Sequence, residues 1–314
     1  MKRNSLLAAV ALLLLTDLNP LLAQDDLMDM LEEEQGQDTN YAFATFKGTR
    51  VINLQSPELP SKGVLQYIFA HRFGSFSDDY FYNFLGMNVA EVALQLDYGL
   101  TDWLNFGLAY GSATLRTYNG FLKYKILRQS SGGRVMPITL TGYSSIFYNA
   151  ERYNDTLPRN NSDRLSFVNQ LVIARKFNKN FSMEIVPTHV HFNVVNLQSE
   201  SNDIFSLGVG MRHKITPQLA VTAEYIYQFN PLETNLQSSG LDFIPQENQN
   251  VLSFGVDIET GGHVFQIFLT NSRGVSDPYT IAQTPGSWQD GDIHLGFNIS
   301  RVFTIVRPKE FSEF

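Results

Sequence analysis

Two histidines in the run Thr188-His189-Val190-His191 have the spacing most suggestive of chemistry. Side chains two positions apart on a β-strand point to the same side, so His189 and His191 can bind one metal ion together. Counting positions from Phe181 places both on the apolar face of that strand, unless Pro187 marks a bulge that reverses the register. The sequence shows no third ligand beside them. We therefore predict no metal site and no cofactor, and interpret both histidines as rim residues.

The same pair also suggests a lipid hydrolase, in which a histidine base activates a serine nucleophile. No serine stands at a matching spacing beside His189 or His191, and no residue that would orient the base can be identified. We therefore predict that the chain is not an enzyme. A lipid hydrolase is kept as a third hypothesis.

Charged residues recur at alternate positions in otherwise apolar segments. In Asn88 to Tyr98, one face carries apolar residues such as Leu94 and Leu96, whereas the other carries Glu91 and Asp97. A dry core would leave two carboxylates without solvation, so we expect the second face to meet water or compensating charges. The same argument predicts eight interior residues: Glu91, Asp97, Lys123, Lys125, Arg212, Glu224, Asp257 and Glu259.

Segments of this alternating kind fill most of the chain. Twelve can be counted, at 62–73, 88–99, 103–111, 118–128, 135–149, 164–176, 180–193, 204–215, 219–229, 250–259, 263–272 and 291–302. Alternation of apolar and polar residues over such segments is typical of outer-membrane strands. An aromatic share of 13% agrees with the aromatic girdles of a membrane barrel. We predict an all-β fold: a single-chain antiparallel transmembrane β-barrel of about 12 strands over residues 62–304, followed by a C-terminal tail at 305–314.

The predicted connections alternate between short and long. The short ones lie at 100–102, 129–134, 178–179, 216–218 and 260–262, where Gly261 and Gly262 favour a primed hairpin turn. The long ones lie at 74–87, 150–163, 194–203, 230–249 and 273–290, with a shorter member near 112–117. Outer-membrane barrels place short turns in the periplasm and long loops outside. A soluble sandwich also alternates apolar and polar residues, but it has no reason to segregate its loops.

The N-terminus has the pattern of a secretory signal peptide. Lys2 and Arg3 precede an apolar run from Leu6 to Leu15, and the small Ala23 follows. The run is about half of the roughly 20 residues that a membrane-spanning helix needs. We expect residues 1–24 to be cleaved during export to the outer membrane.

Two segments separate this signal from the predicted barrel. Residues 25–40 hold seven acids and no base, which predicts a flexible periplasmic tail, with a protein partner as a further hypothesis. Residues 41–61 are strand-like but carry Lys47 and Arg50, and Pro57 and Pro60 interrupt them. We place this segment inside the lumen mouth or under the barrel.

Composition limits the partners. The net charge of −8 argues against nucleic-acid binding, which needs a basic surface. The chain has no cysteine, which excludes disulfides, thiolate metal sites and an N-terminal lipid anchor. Membrane lipid and a small solute remain as predicted partners.

Three stretches resemble an uncharacterised outer-membrane β-barrel family of Bacteroidota, a domain of unknown function. They are Ala44 to Asn53, His71 to Gly74, and Tyr98 to Leu104. Many barrels use a turn similar to the last of these. The resemblance covers nearly all of the mature chain and implies a barrel in the outer membrane, with no known activity and no catalytic residues.

Two functions remain open for the predicted interior charges. Charges of both signs inside a narrow barrel either pair and plug it or line a selective pore. The leading hypothesis is a passive channel or uptake barrel for small solutes, which favours cations because Glu91, Glu224, Asp257 and Glu259 outnumber the bases. The alternative is a closed structural barrel that docks a periplasmic or surface partner.

Overall fold

The structure of the chain is a computed structural model. It describes residues 38–77, 81–84, 86–112, 116–152, 160–195, 198–232, 237–239, 242–244 and 248–306. The predicted signal peptide, residues 25–37 of the acidic tail and residues 307–314 lie outside these ranges. In the described ranges, no helix is long and apolar enough to cross a membrane.

Twelve antiparallel strands form a closed barrel. They are β1 (Val64–Ser75), β2 (Ala90–Gly99), β3 (Leu104–Ser112), β4 (Thr117–Leu127), β5 (Thr139–Asn149), β6 (Leu165–Lys176), β7 (Phe181–Phe192), β8 (Asp203–Lys214), β9 (Leu219–Gln228), β10 (Val251–Thr260), β11 (His263–Thr270) and β12 (His294–Thr304). Each strand pairs with its neighbours in sequence, and β12 pairs with β1 to close the barrel. The predicted twelve-stranded barrel is therefore confirmed.

The largest boundary difference is at the start of β5, predicted at residue 135 and observed at Thr139. Met136 pairs with Ser130 in the preceding turn instead of joining the barrel. Pro137 follows it and has no N–H to donate to a strand ladder. The chain can therefore enter the barrel only after this proline.

The connections at one end are mostly shorter than those at the other, as predicted, and the exceptions are 128–138 and 113–116. One end, called the short-turn end, carries the turns at 100–103, 128–138, 177–180, 215–218 and 261–262. Thr260 pairs with His263 there, and Gly261 and Gly262 have φ of 35° and 101°, which confirms the primed two-residue turn. The other end, called the long-loop end, carries the connections at 76–89, 113–116, 150–164, 193–202, 229–250 and 271–293.

Short helices and strands lie at both ends of the barrel. At the short-turn end, a two-residue strand Asn40–Tyr41 pairs with Ser130–Ser131. At the long-loop end lie a 3-10 helix at Asn161–Arg164, a small hairpin of Gln237–Ser239 with Asp242–Ile244, and the helix α1 (Asp277–Ala282). Helix α1 is the important one, because most of its side chains are buried at the barrel mouth.

The barrel is apolar outside and polar inside. Exposed outward side chains include Leu94, Leu96, Phe106, Leu108, Leu122, Ile146, Leu171, Phe205, Met211, Val221, Tyr225, Phe254 and Ile267. Inward side chains include Gln66, Gln95, Asn105, Thr141, Gln170, Thr188, Thr222, Ser253, Gln266 and Asn298, all of them buried. An apolar exterior is unfavourable in water and favourable in lipid. This arrangement excludes the soluble sandwich.

A loop from the N-terminal side fills the barrel interior. Residues 44–56, called the plug, contain the buried side chains of Phe46, Val51, Ile52 and Leu54. The plug enters from the short-turn end and returns there to β1. It forms no extended strand, although it was predicted to be strand-like. A single bridge pairs Arg50 with Gln55, and the amide of Val51 donates to the carbonyl of Leu54 to close the tip.

Candidate functional site

The eight predicted interior residues line the wall that faces the plug. Asp97, Lys123, Glu224 and Asp257 are almost fully buried, with at most 2% exposure. The others lie nearer the two ends: Glu91, Lys125, Arg212 and Glu259. All of them share the inward positions of their strands, and most contact the plug or one another.

Glu224 is the main anchor of the plug. Its carboxylate accepts hydrogen bonds from the backbone amides of Ile52, Asn53 and Leu54 at 2.9–3.2 Å. The side chains of Asn53 and Ser253 donate to it as well, at 2.6 and 3.2 Å. Successive amides that converge on one anion form a nest, and hydrogen bonds to a charged acceptor are the strong ones. A single carboxylate thus satisfies three buried donors at the plug tip.

Other wall side chains donate to the carbonyls of the plug. Lys123 Nζ lies 2.9 Å from the oxygen of Thr49, and Gln266 Nε2 lies 2.6 Å from that of Val51. Because the plug is not part of a strand ladder, its buried backbone groups need partners of this kind. The polar wall therefore supplies what regular secondary structure supplies elsewhere.

Arg50 joins the plug to helix α1 at the opposite end. Its guanidinium donates to Asp277 at 2.5 Å, and the hydroxyl of Tyr143 donates to the other oxygen of Asp277 at 2.7 Å. Burial lowers the pKa of Arg50, but the charge of Asp277 and its hydrogen bond outweigh burial, so the pKa lies above its ordinary value. Arg50 is therefore charged, and its pair with Asp277 connects the plug to helix α1.

Arg72 adds a third link. Its guanidinium donates to the side-chain oxygens of Asn298 on the wall and Asn53 on the plug, at 3.0 and 3.1 Å. It also lies over the ring of Phe268, 4.3 Å from the centroid. A planar cation can make both contacts at once.

Three of the four charges nearer the ends, Glu91, Arg212 and Glu259, form ion pairs. Arg212 contacts Asp257 at 3.3 Å and Glu259 at 2.5 Å, and Lys47 of the plug lies 3.0 Å from Glu259. At the long-loop end, Arg273 lies 2.7 Å from Glu91. These pairs compensate the charges of Glu91, Asp257 and Glu259.

Glu184 differs from the other interior acids. It is fully buried, and among the described residues neither of its carboxylate oxygens has a hydrogen-bond partner. Its neighbours include Gly210, where an added Cβ would lie 3.0 Å from the Glu184 side chain. An unpaired buried carboxylate costs stability in a closed barrel.

Little free space remains around the plug tip. A cavity of about 20 Å³ lies beside Arg50, Asn53 and Asp277. That volume holds roughly one water molecule. The plugged lumen is therefore filled at this level by side chains.

Two loops at the long-loop end, 76–84 and 277–288, carry aromatic side chains. In 277–288, Asp277 is buried and Trp288 donates to the carbonyl of Leu252, so this loop packs over the barrel mouth. In 76–84, Phe81 and Tyr82 are 90% and 85% exposed. Residues 78–80 lie outside the described part of the chain.

Sequence reasoning missed several residues of the barrel interior. Arg72 and Glu184 occupy inward positions of β1 and β7, so strand alternation was sufficient to find them. Arg50 and Asn53 lie in the plug and Asp277 begins the short helix α1, so no strand periodicity indicates where their side chains point. Only the folded chain brings these three to the wall.

Known structures share the barrel form at low similarity. The KdgM porin has 5% identity and a TM-score of 0.45, over 76% of this chain and 99% of that chain. The COG4313 outer membrane channel from Pseudomonas putida F1 has 14% identity and a TM-score of 0.45, over 78% and 97%. LpxR from Salmonella typhimurium has 12% identity and a TM-score of 0.39, over 76% and 99%. No curated protein matches the sequence significantly.

A family model carries the assignment. It is described as a membrane bound beta barrel domain (DUF5777), a description that names no bacterial group, and it matches residues 46–303, which include most of the plug and all but the last residue of the barrel. The match covers well over half of the chain and agrees with the lipid-facing exterior. The chain therefore belongs to this family of membrane-bound β-barrel domains.

Proposed function

We propose that the chain is a plugged outer-membrane channel for small solutes, which opens when the plug leaves its seat on the wall. The observation that carries this proposal is the polarity of the wall behind the plug. A barrel that is always closed can be filled with apolar side chains at lower cost, because buried charges are expensive to desolvate. A wall that water meets when the plug moves has reason to stay polar.

The plug is built to come out as a unit. Both of its ends lie at the short-turn end, which in outer-membrane barrels faces the periplasm. Hydrogen bonds with Glu224, Lys123 and Gln266 hold its backbone to the wall, and water can replace each of them. We therefore place the gate on the periplasmic side.

A disulfide that locks the plug tests the gate. An added Cβ at Gly208 would lie 3.3 Å from Cγ of Leu54. This is close to the roughly 3 Å between a Cβ and the far sulfur of a disulfide. In the double variant Leu54→Cys/Gly208→Cys, the new cysteines are the only ones in the chain. We expect no conductance across planar bilayers when the variant is oxidised, and ion-conducting openings when it is reduced.

The reduced form of the same double variant is the matched control, because it differs by one bond alone. Wild-type protein treated with the same reductant controls for the reagent. Equal conductance of the oxidised and reduced forms would contradict gating by the plug. No conductance in any form, wild type included, would favour the closed interaction barrel.

The open state should prefer cations. The plug carries two bases, Lys47 and Arg50, and no acid, so its departure removes positive charge from the lumen and uncovers Glu224. Reversal potentials in a salt gradient measure the preference. A reversal potential that indicates anion selectivity would contradict this assignment.

The closed interaction barrel remains the second candidate. The cavity of about 20 Å³ beside the plug tip supports it, because so small a space leaves no passage for a solute. The conductance experiment distinguishes the two candidates. We expect a small solute for the channel and a docking partner for the closed interaction barrel.

A further inference from the structure

Three side chains meet on the outer face of the barrel near the long-loop end. Nε2 of His189 lies 2.7 Å from Oδ1 of Asp203, and Nδ1 of His191 lies 2.8 Å from the same oxygen. The three ligand atoms all lie within 4.8 Å of one another. We propose that His189, His191 and Asp203 form a binding site for a divalent transition-metal ion, with zinc as the type case.

Strand geometry brings the three together. His189 and His191 point outward from β7, and Asp203 at the start of β8 pairs directly with His191 across the two strands. Directly opposed residues have Cβ atoms about 4.5–5.5 Å apart, within reach of one ion. Pro187 does not disturb this arrangement, because the register of β7 with β6 and with β8 is the same on both sides of it.

The surroundings hold the ligands in place. The backbone oxygen of Asp203 accepts from Ser201 Oγ at 2.9 Å and from Asn230 Nδ2 at 2.7 Å. The ring of Phe205 stacks on His189 with centroids 5.1 Å apart. Ligands on paired strands, with fixed neighbours, lose little entropy when an ion binds.

The donor set suits a transition metal. Imidazole nitrogen suits zinc, copper and nickel, whereas magnesium and calcium prefer oxygen ligands. Two histidines and one carboxylate are a known zinc set, which leaves a fourth position open to water or another ligand. Tetrahedral zinc bonds of about 2.0–2.1 Å to nitrogen and oxygen place the ligand atoms about 3.3 Å apart. The two N–O separations must therefore widen by roughly half an ångström when the ion binds.

The side chains have room for that shift. His189, His191 and Asp203 are 35%, 34% and 46% exposed, so an ion reaches them without opening the barrel. The site is on the opposite side of the wall from the plug and does not depend on the channel. The missing third ligand was the reason to predict no metal here, and Asp203 now supplies it.

Zinc titration of the folded, full-length barrel in detergent tests the proposal. Calorimetry should show saturable binding of one Zn²⁺ per chain, and no comparable heat with Mg²⁺ or Ca²⁺. We expect the variants His189→Ala, His191→Ala and Asp203→Asn each to weaken Zn²⁺ binding by more than the roughly 10- to 100-fold that loss of an outer-shell partner causes.

His213→Ala is the matched control, because His213 is also an outward histidine on β8, paired with Phe181 far from the site. Its affinity for Zn²⁺ should equal that of the wild type. X-ray absorption of the zinc-loaded protein should show two imidazole ligands. Wild-type protein without saturable Zn²⁺ binding, or a His189→Ala/His191→Ala double variant that binds as tightly, would overturn the site.

Discussion

Replacing Glu224 by Gln should release the plug. The amide keeps the shape of the side chain but loses the charge. Its oxygen can still accept from the amides of Ile52, Asn53 and Leu54, but its NH₂ group then faces Nδ2 of Asn53, which loses its acceptor. A hydrogen bond to a charged acceptor contributes roughly 1 kcal/mol more than one to a neutral acceptor. Loss of the charge from three amide bonds therefore shifts the plug equilibrium by at least about 2 kcal/mol, which is about 30-fold.

A single cysteine at position 54 reports this release. Leu54 is 1% exposed, and the chain has no other cysteine, so maleimide labels a Leu54→Cys background only when the plug moves. We expect labelling of the Glu224→Gln variant in that background to be at least about 30-fold faster than in the background alone. Openings in planar bilayers should become more frequent in parallel.

Glu184→Gln is the matched control, since it makes the same substitution at another buried interior acid. Glu184 has no hydrogen-bond partner among the described residues, so the change removes a desolvation cost and breaks no bond. Labelling at Leu54→Cys should stay the same or slow down. Equal acceleration by both substitutions would mean that interior charge in general, and not the amide nest, holds the plug.

Breaking the pair of Arg50 and Asp277 should have the second large effect. Both side chains are nearly buried, at 16% and 2% exposure, and removal of one partner leaves the other charge without compensation. Such losses cost about 3–5 kcal/mol. Arg50→Met should therefore lower the free energy of unfolding in urea by about that amount and should also speed labelling at Leu54→Cys.

The double variant Arg50→Met/Asp277→Asn measures the contribution of the pair separately from that of each residue. Tyr143 can still donate to the asparagine oxygen, so no buried charge is left unpaired. We expect the double variant to regain most of the stability that either single variant loses. Additive losses in the double-mutant cycle would show that the two residues act independently.

Strand alternation determined the fold and the placement of the wall. Because side chains alternate with a period of two, a local pattern such as Glu91 and Asp97 opposite Leu94 and Leu96 indicates which face meets lipid. Local sequence also predicted the turns, including the one at Gly261 and Gly262. It failed at the start of β5, where apolar residues before Pro137 pair with Ser130 instead.

Contacts between distant residues were decided only by the tertiary structure. Asn53 and Glu224 are 171 positions apart, and Arg50 and Asp277 are 227 apart. The backbone of the plug is satisfied by wall side chains and not by a strand ladder, so the strand-like character of its residues could not show how it lies. The third ligand beside His189 and His191 was hidden for a related reason: strand pairing, and not sequence spacing, places Asp203 opposite His191.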